Sequence, residues 1–228
     1  MPISTKQTVH SLLQGFSEAK LTEWPYRYWM MTNCLPSQGV EEVLALPFAA
    51  ADIDGVSGKR ELHNNSRRYF DGEGREQFPC VEAISGAFQD TRVTDAIERT
   101  FGAELDRTYL RIEFAQDVDG FWLEPHTDIG VKMFTFLLYL SKNRSHADLG
   151  TDVYDHEKRW VGRTPYQSNS GMIFVPSSIT YHGFEKRPIE GVRKLLVINY
   201  VTEEWRAREQ LAYPDELIRM PAGIGARR

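Results

Sequence analysis

The sequence predicts an α+β fold with a mainly β core: a double-sheet jelly roll, or double-stranded β-helix, with N-terminal helices packed against it. Apolar residues recur at helical spacing through much of the first hundred positions. From Asp106 onward they occur instead in short alternating or continuous runs separated by turn residues. A chain of 228 residues suits one domain and can bury a single core without disulfides. We therefore expect one domain over 1–228, with a helical buttress and lid loop over about 1–105, the β core over 106–201, and a C-terminal helix and tail over 202–228. No internal repeat or low-complexity segment interrupts it.

Ser4 and Gln7 have capping-box spacing, and Val9, Leu12, Leu13 and Phe16 follow on one face, predicting a helix over about 5–18. Aromatic Tyr26 to Cys34 reads as a strand, and Pro36 opens a helix carrying Val40, Val43, Leu44 and Leu46. Ala51 to Gly74 has no sustained period and reads as a long loop, of the kind that forms lids. Helices are expected over Glu76 to Ala87 and over Thr91 to Thr100, where Val93, Ile97 and Phe101 share a face. Tyr109–Phe114, Val131–Leu140, Gly171–Pro176 and Leu195–Val201 read as strands, with turn-rich pieces at Asp117–Gly120 and Ser141–Arg144. Glu203 to Leu211 suits a short helix, and the Pro- and Gly-containing stretch beyond it an exposed tail.

Composition narrows the function classes. The hydrophobic fraction of 41% and charged fraction of 26% are ordinary for a globular protein. A net charge of -5 and a pI near 5.7 argue against a nucleic-acid or anionic-membrane binder. Only Cys34 and Cys80 are present, no apolar run is long enough to span a bilayer, and no signal pattern opens the chain. A reducing cytoplasm is the expected location.

The chemistry-bearing residues are His126 and Asp128 in Leu123-Glu124-Pro125-His126-Thr127-Asp128, and the distant His182. Two imidazoles and one carboxylate are the ligand set of a non-haem Fe(II) site with open coordination positions. In an extended segment residues i and i+2 face the same way, so His126 and Asp128 can aim at one ion, and antiparallel pairing can bring His182 beside them. Arg193, eleven residues after His182, offers a planar positive fork for a carboxylate co-substrate.

Such a motif also arises by chance, because six histidines and thirteen aspartates are enough to produce stray His-x-Asp pairs. A second one, His146-Ala147-Asp148, lies in the polar run Ser141–Gly150 and reads as a solvated hairpin connection. His126 lies instead between two strand-like segments, where a ligand is held rigidly. His10, His63 and His156 have no partner at ligand spacing and are expected on the surface.

Residues 106–201 resemble the Fe(II)/2-oxoglutarate-dependent dioxygenases, and within them the prolyl-4-hydroxylase-like branch. The resemblance rests on the order of His126-Thr127-Asp128, the run Lys132–Leu140, the Leu149-Gly150-Thr151 turn, the strand Gly171–Pro176, His182 and Gly191-Val192-Arg193. It implies Fe(II) held by His126, Asp128 and His182, with 2-oxoglutarate and O2 as cosubstrates. It further implies that Arg193 pairs with the far carboxylate of 2-oxoglutarate and that Thr135 helps to hold it. Leu123 stands where many prolyl hydroxylases carry tyrosine, and Arg193 where theirs is often lysine, so the chain departs from the peptidyl-proline pattern. Related halogenases have a small residue in place of the carboxylate ligand; Asp128 points to hydroxylation.

The expected activity is hydroxylation of an unactivated C–H bond of a small polar metabolite, an amino acid, sugar or natural-product intermediate, with release of succinate and CO2. Candidate substrate contacts are Arg111, Glu113, Trp122 and Asn199, together with Arg67 and Arg68 of the loop, whose paired charges suit an anionic group. Strand aromatics usually belong to the core and strand charges to solvent. Two other classes stay open: a hydroxylase of protein side chains, and a non-enzymatic metal-binding jelly-roll module. No nucleic-acid or membrane partner is expected.

Overall fold

A computed structural model describes residues 1–50, 58, 67–128 and 130–219. Ser4 accepts from the Gln7 amide while the Gln7 side chain returns to the Ser4 amide, so the first turn of α1 (Thr5–Ser17) is closed at both ends. Strands β1 (Lys20–Thr22) and β2 (Tyr28–Thr32) follow, then α2 (Ser37–Leu44) and a two-residue strand β3 (Arg68–Tyr69). The helix expected over 76–87 is two: α3 (Gly72–Gln77) and α4 (Pro79–Gln89). Pro79 drives the preceding Phe78 into an extended conformation, φ -123° and ψ 111°, which breaks the helical run between them. Helix α5 (Thr91–Phe101) is capped by Asp90 and stopped by Gly102 at φ 75°, a left-handed conformation that glycine adopts without strain.

All later strands pair antiparallel. They are β4 (Thr108–Asp117), β5 (Leu123–His126), β6 (Lys132–Tyr139), β7 (Asp152–Tyr154), β8 (Trp160–Arg163), β9 (Ser170–Phe174), β10 (His182–Phe184) and β11 (Arg193–Thr202). They form a seven-stranded sheet in the order β1-β2-β9-β6-β11-β4-β3 and a four-stranded sheet in the order β5-β10-β7-β8. The N-terminal part thus does more than buttress: β1 and β2 extend one edge of the large sheet, and β3 forms the other.

Alternation along each strand sorts side chains onto two faces. Leu110, Ile112 and Phe114 of β4, Phe134, Phe136 and Leu138 of β6, and Leu196, Ile198 and Tyr200 of β11 are buried in one core with Val9, Leu12 and Phe16 of α1, Ile84 and Phe88 of α4, and Val93 and Ile97 of α5. Each such full burial contributes about 1.5–3 kcal/mol. The intervening residues Ala115, Leu137, Tyr139, Leu195 and Val197 form a second core with Leu123, Val153 and Phe184 of the small sheet. Polar residues on that same inner face, Arg111, Glu113, Thr135, Asn199 and Arg193, are buried too.

Three expectations need correction. His146 is not solvated: it is 1% exposed in a 3-10 turn, where its Nε2 meets the Glu190 carbonyl and its ring lies edge-on to Tyr166. The α-helix expected over Glu203–Leu211 is only a 3-10 turn at Arg208–Gln210. The stretch after it does not hang free as far as it is described, since Leu211 and Ile218 bridge to β4 and both are buried. His10 and His156 are exposed as expected; His63 lies outside the described residues, as does most of the expected lid loop.

Candidate metal centre

His126 ends β5 and His182 begins β10, and the two are direct cross-strand partners. Their ring centroids are 4.4 Å apart. Asp128 lies two residues beyond His126, and one ligand atom from each of the three residues falls within 4.8 Å of the others. They form the cluster of metal-binding geometry among the described residues.

Each histidine is oriented by its own backbone. Nδ1 of His126 lies 2.9 Å from the Glu124 carbonyl, and Nδ1 of His182 lies 3.0 Å from the Thr180 carbonyl. A carbonyl only accepts, so both Nδ1 atoms carry the proton, the tautomer in which Nε2 is the metal-binding nitrogen. Burial together with the neighbouring His126 pulls His182 down to about 3, so it is neutral at physiological pH. Burial opposes ionisation of Asp128, but the Lys132 ammonium at 2.5 Å and a 2.6 Å hydrogen bond from Thr135 outweigh it and hold the carboxyl well below its usual range. Metal binding requires neutral imidazoles and an ionised carboxylate. His182 and Asp128 are in those forms.

Behind Asp128 runs a chain of buried hydrogen bonds that the sequence did not disclose. Thr135 donates to Asp128 and accepts from Asn199 Nδ2 at 2.9 Å, and Asn199 Oδ1 accepts from Arg111 at 3.2 Å. Arg111 also donates to Glu113 at 3.0 Å and Gln210 at 2.9 Å, and its guanidinium packs on the rings of Tyr69 and Trp205. The register places Thr135, Asn199 and Arg111 side by side across three strands, so the relay follows from strand pairing. Thr135, expected at the cosubstrate, hydrogen-bonds to Asp128.

The other candidates fall in different places. Arg67 approaches Glu113 at 3.3 Å, whereas its neighbour Arg68 is exposed and packs over Phe48, towards the helical side. Arg68 and Arg67 therefore do not act as a pair, because adjacent extended residues face opposite ways. Trp122 is half-buried, with its ring against Gly58, whose carbonyl accepts from the Glu124 amide at 3.0 Å. Beside Asp128 a cleft of about 480 Å3 is lined by Glu104, Lys132, Met133, Pro176, Ser177 and Ser178, among others.

Arg193 lies further along the inner face, 4% exposed, with Nε donating to the Leu149 carbonyl at 2.7 Å and Nη1 to Asp117. Tyr139, unremarked in the sequence, shares this end: its hydroxyl meets those of Thr151 at 2.7 Å and Thr164 at 2.8 Å. A polar phenol at an inward strand position was the available signal.

No family model matches the chain, and no curated protein matches it. Solved structures do. A prolyl 4-hydroxylase from Phytophthora capsici aligns at TM-score 0.57 and 12% identity, covering 90% of this chain and 68% of that one. A prolyl hydroxylase from Trichoplax adhaerens, in complex with a hypoxia inducible factor oxygen degradation domain peptide fragment, gives 0.55 and 19%, covering 87% and 89%. A prolyl-4-hydroxylase from Pseudomonas putida gives 0.52 and 15%, covering 85% and 94%. At these identities the likeness is one of fold: a mixed helix and antiparallel-sheet architecture, mostly strands.

Proposed function

We propose that the chain is an Fe(II)/2-oxoglutarate-dependent oxygenase, built on a double-stranded β-helix, that hydroxylates a C–H bond of a small polar metabolite. The observation that carries this is the convergence of His126, Asp128 and His182 within 4.8 Å. The donor set fits ferrous iron and leaves coordination positions for other ligands. When bound, the iron supplies oxidation of the target C–H bond by O2, with 2-oxoglutarate leaving as succinate and CO2.

The chain's own residues supply position. His126 and His182 are aimed by the Glu124 and Thr180 carbonyls, Asp128 is held by Thr135, and Arg193 meets the far carboxylate of the keto acid. The cleft beside Asp128, at about 480 Å3, is of small-molecule size and supports a metabolite over an extended peptide. The inner-face charges Arg67, Arg111 and Glu113 suit a substrate with polar or anionic groups. Cys34 and Cys80 are buried and unbridged, in keeping with a reducing cytoplasm. No helix among the described residues is long and apolar enough to cross a membrane.

The test is spectroscopic and then catalytic. Anaerobic addition of 2-oxoglutarate to the Fe(II)-loaded protein should produce a weak visible charge-transfer band that His182→Ala abolishes. Succinate release is then screened against metabolites and, separately, proline-containing peptides. Turnover with peptides alone would replace the metabolite reading, and no band with no succinate would end the oxygenase reading.

A further inference from the structure

The guanidinium expected to grip the keto acid already has a buried partner. Arg193 and Asp117 are direct cross-strand neighbours on β11 and β4, 4% and 6% exposed, joined by an Nη1–Oδ2 ion pair. Nε is committed to the Leu149 carbonyl. The guanidinium carbon lies 4.6, 5.6 and 5.9 Å from the rings of Phe184, Tyr166 and Tyr139, so aromatic faces rather than water surround it. Arg187 also packs on Phe184, at 3.7 Å, but is itself held by Asp152 and the Gly150 carbonyl. The Tyr139 and Tyr166 hydroxyls are likewise engaged, with Thr151 and Thr164 and with the Lys194 carbonyl.

A second carboxylate arriving at Arg193 must share one guanidinium with Asp117. Two carboxylates a few ångströms apart in so buried a setting repel strongly, and the attraction that an unmatched arginine would exert on a diacid is already half satisfied. A tail without charge escapes this repulsion.

We propose that Asp117 is a specificity-determining residue of the cosubstrate pocket: by matching Arg193 it weakens the hold on a diacid's far carboxylate and narrows the preference for dicarboxylic over monocarboxylic 2-oxo acids. This rests on the oxygenase reading above. Asp117→Asn keeps an oxygen for Arg193 to bond while removing the charge.

The experiment is calorimetry on the Mn(II)-loaded protein, wild type and Asp117→Asn, titrated with 2-oxoglutarate and with 2-oxopentanoate, which has a methyl in place of the far carboxylate. The ratio of the two Kd values should shift towards the diacid at least tenfold in the variant. An unchanged ratio, or a shift the other way, overturns the proposal while leaving the oxygenase reading standing. Binding of neither acid by either protein, with the metal bound, overturns both. If Asp117→Asn fails to fold, the wild-type ratio decides: a preference for the diacid below tenfold supports the proposal and a larger one refutes it.

Discussion

Thr135→Val isolates the hydrogen bond to Asp128, the carboxylate of the proposed metal site. The substitution keeps the shape of a side chain that is 1% exposed and removes one hydroxyl, which donates to Asp128 at 2.6 Å and accepts from Asn199 at 2.9 Å. A hydrogen bond to an ionised group is worth about 1.5–3 kcal/mol. If most of that is spent on orienting Asp128, metal affinity falls by about 10- to 100-fold, the range expected for a partner of a metal ligand. Asn199 keeps the Phe134 carbonyl at 3.3 Å, so the fold should survive. Mn(II) and Co(II) titrations by calorimetry, with a melting curve as control, read the effect. A metal Kd within threefold of wild type, at equal melting temperature, would refute the orienting role. A change confined to 2-oxoglutarate affinity would return Thr135 to the cosubstrate.

Three further expectations follow from the same coordinates. His182 is held near 3, below its ordinary 6.5, so the unfolded chain takes up the proton first; metal-free stability should be full above about pH 6.5 and fall as pH drops towards 3, by up to about 1.4 kcal/mol per unit. Urea midpoints across pH 7 to 5 measure this, above the range where Asp128 and other carboxylates of the unfolded chain take up protons, and an equal slope in His182→Gln would rule out the attribution. Gly150→Ala drives a methyl into the backbone carbonyl of Thr164, a neighbour that cannot swing aside, and should cost about 3 kcal/mol or more. Gly102→Ala, strained only by its φ of 75° and facing open space, should cost about 1 kcal/mol, and similar melting temperatures for the two would contradict the packing argument. Arg111→Leu, which removes a guanidinium partner of buried Glu113, should destabilise by about 3–5 kcal/mol, against under about 0.5 kcal/mol for exposed Arg68→Ala; equal urea midpoints would sink the distinction.

Much of the frame was legible because it rests on short-range rules. The capping box at Ser4, the apolar stripe of α5 and the alternation of β4 and β11 each report a local preference, and each element formed within a few residues of where it was expected. The convergence of the His–Asp–His cluster was legible for a similar reason: His126 and Asp128 are neighbours in sequence, and His182 needed only antiparallel pairing. The strands β7, β8 and β10 were missed because they are three or four residues long, too short for a period to show. His146 was misplaced because its polar neighbours masked a ring that is buried by distant Tyr166 and Glu190. The relay behind Asp128 and the Arg193–Asp117 pair depend on register between strands, which no single segment encodes.

Strand β11 is paired along both edges, to β4 and to β6, and its side chains serve two clients. Arg193, Leu195, Val197 and Asn199 look inward, while Leu196, Ile198 and Tyr200 anchor the helices. Replacements at odd positions can therefore retune what the interior recognises without loosening the helical layer. An inserted residue, by contrast, would exchange the two sets at once, sending grease to the inner face and an arginine into the oil.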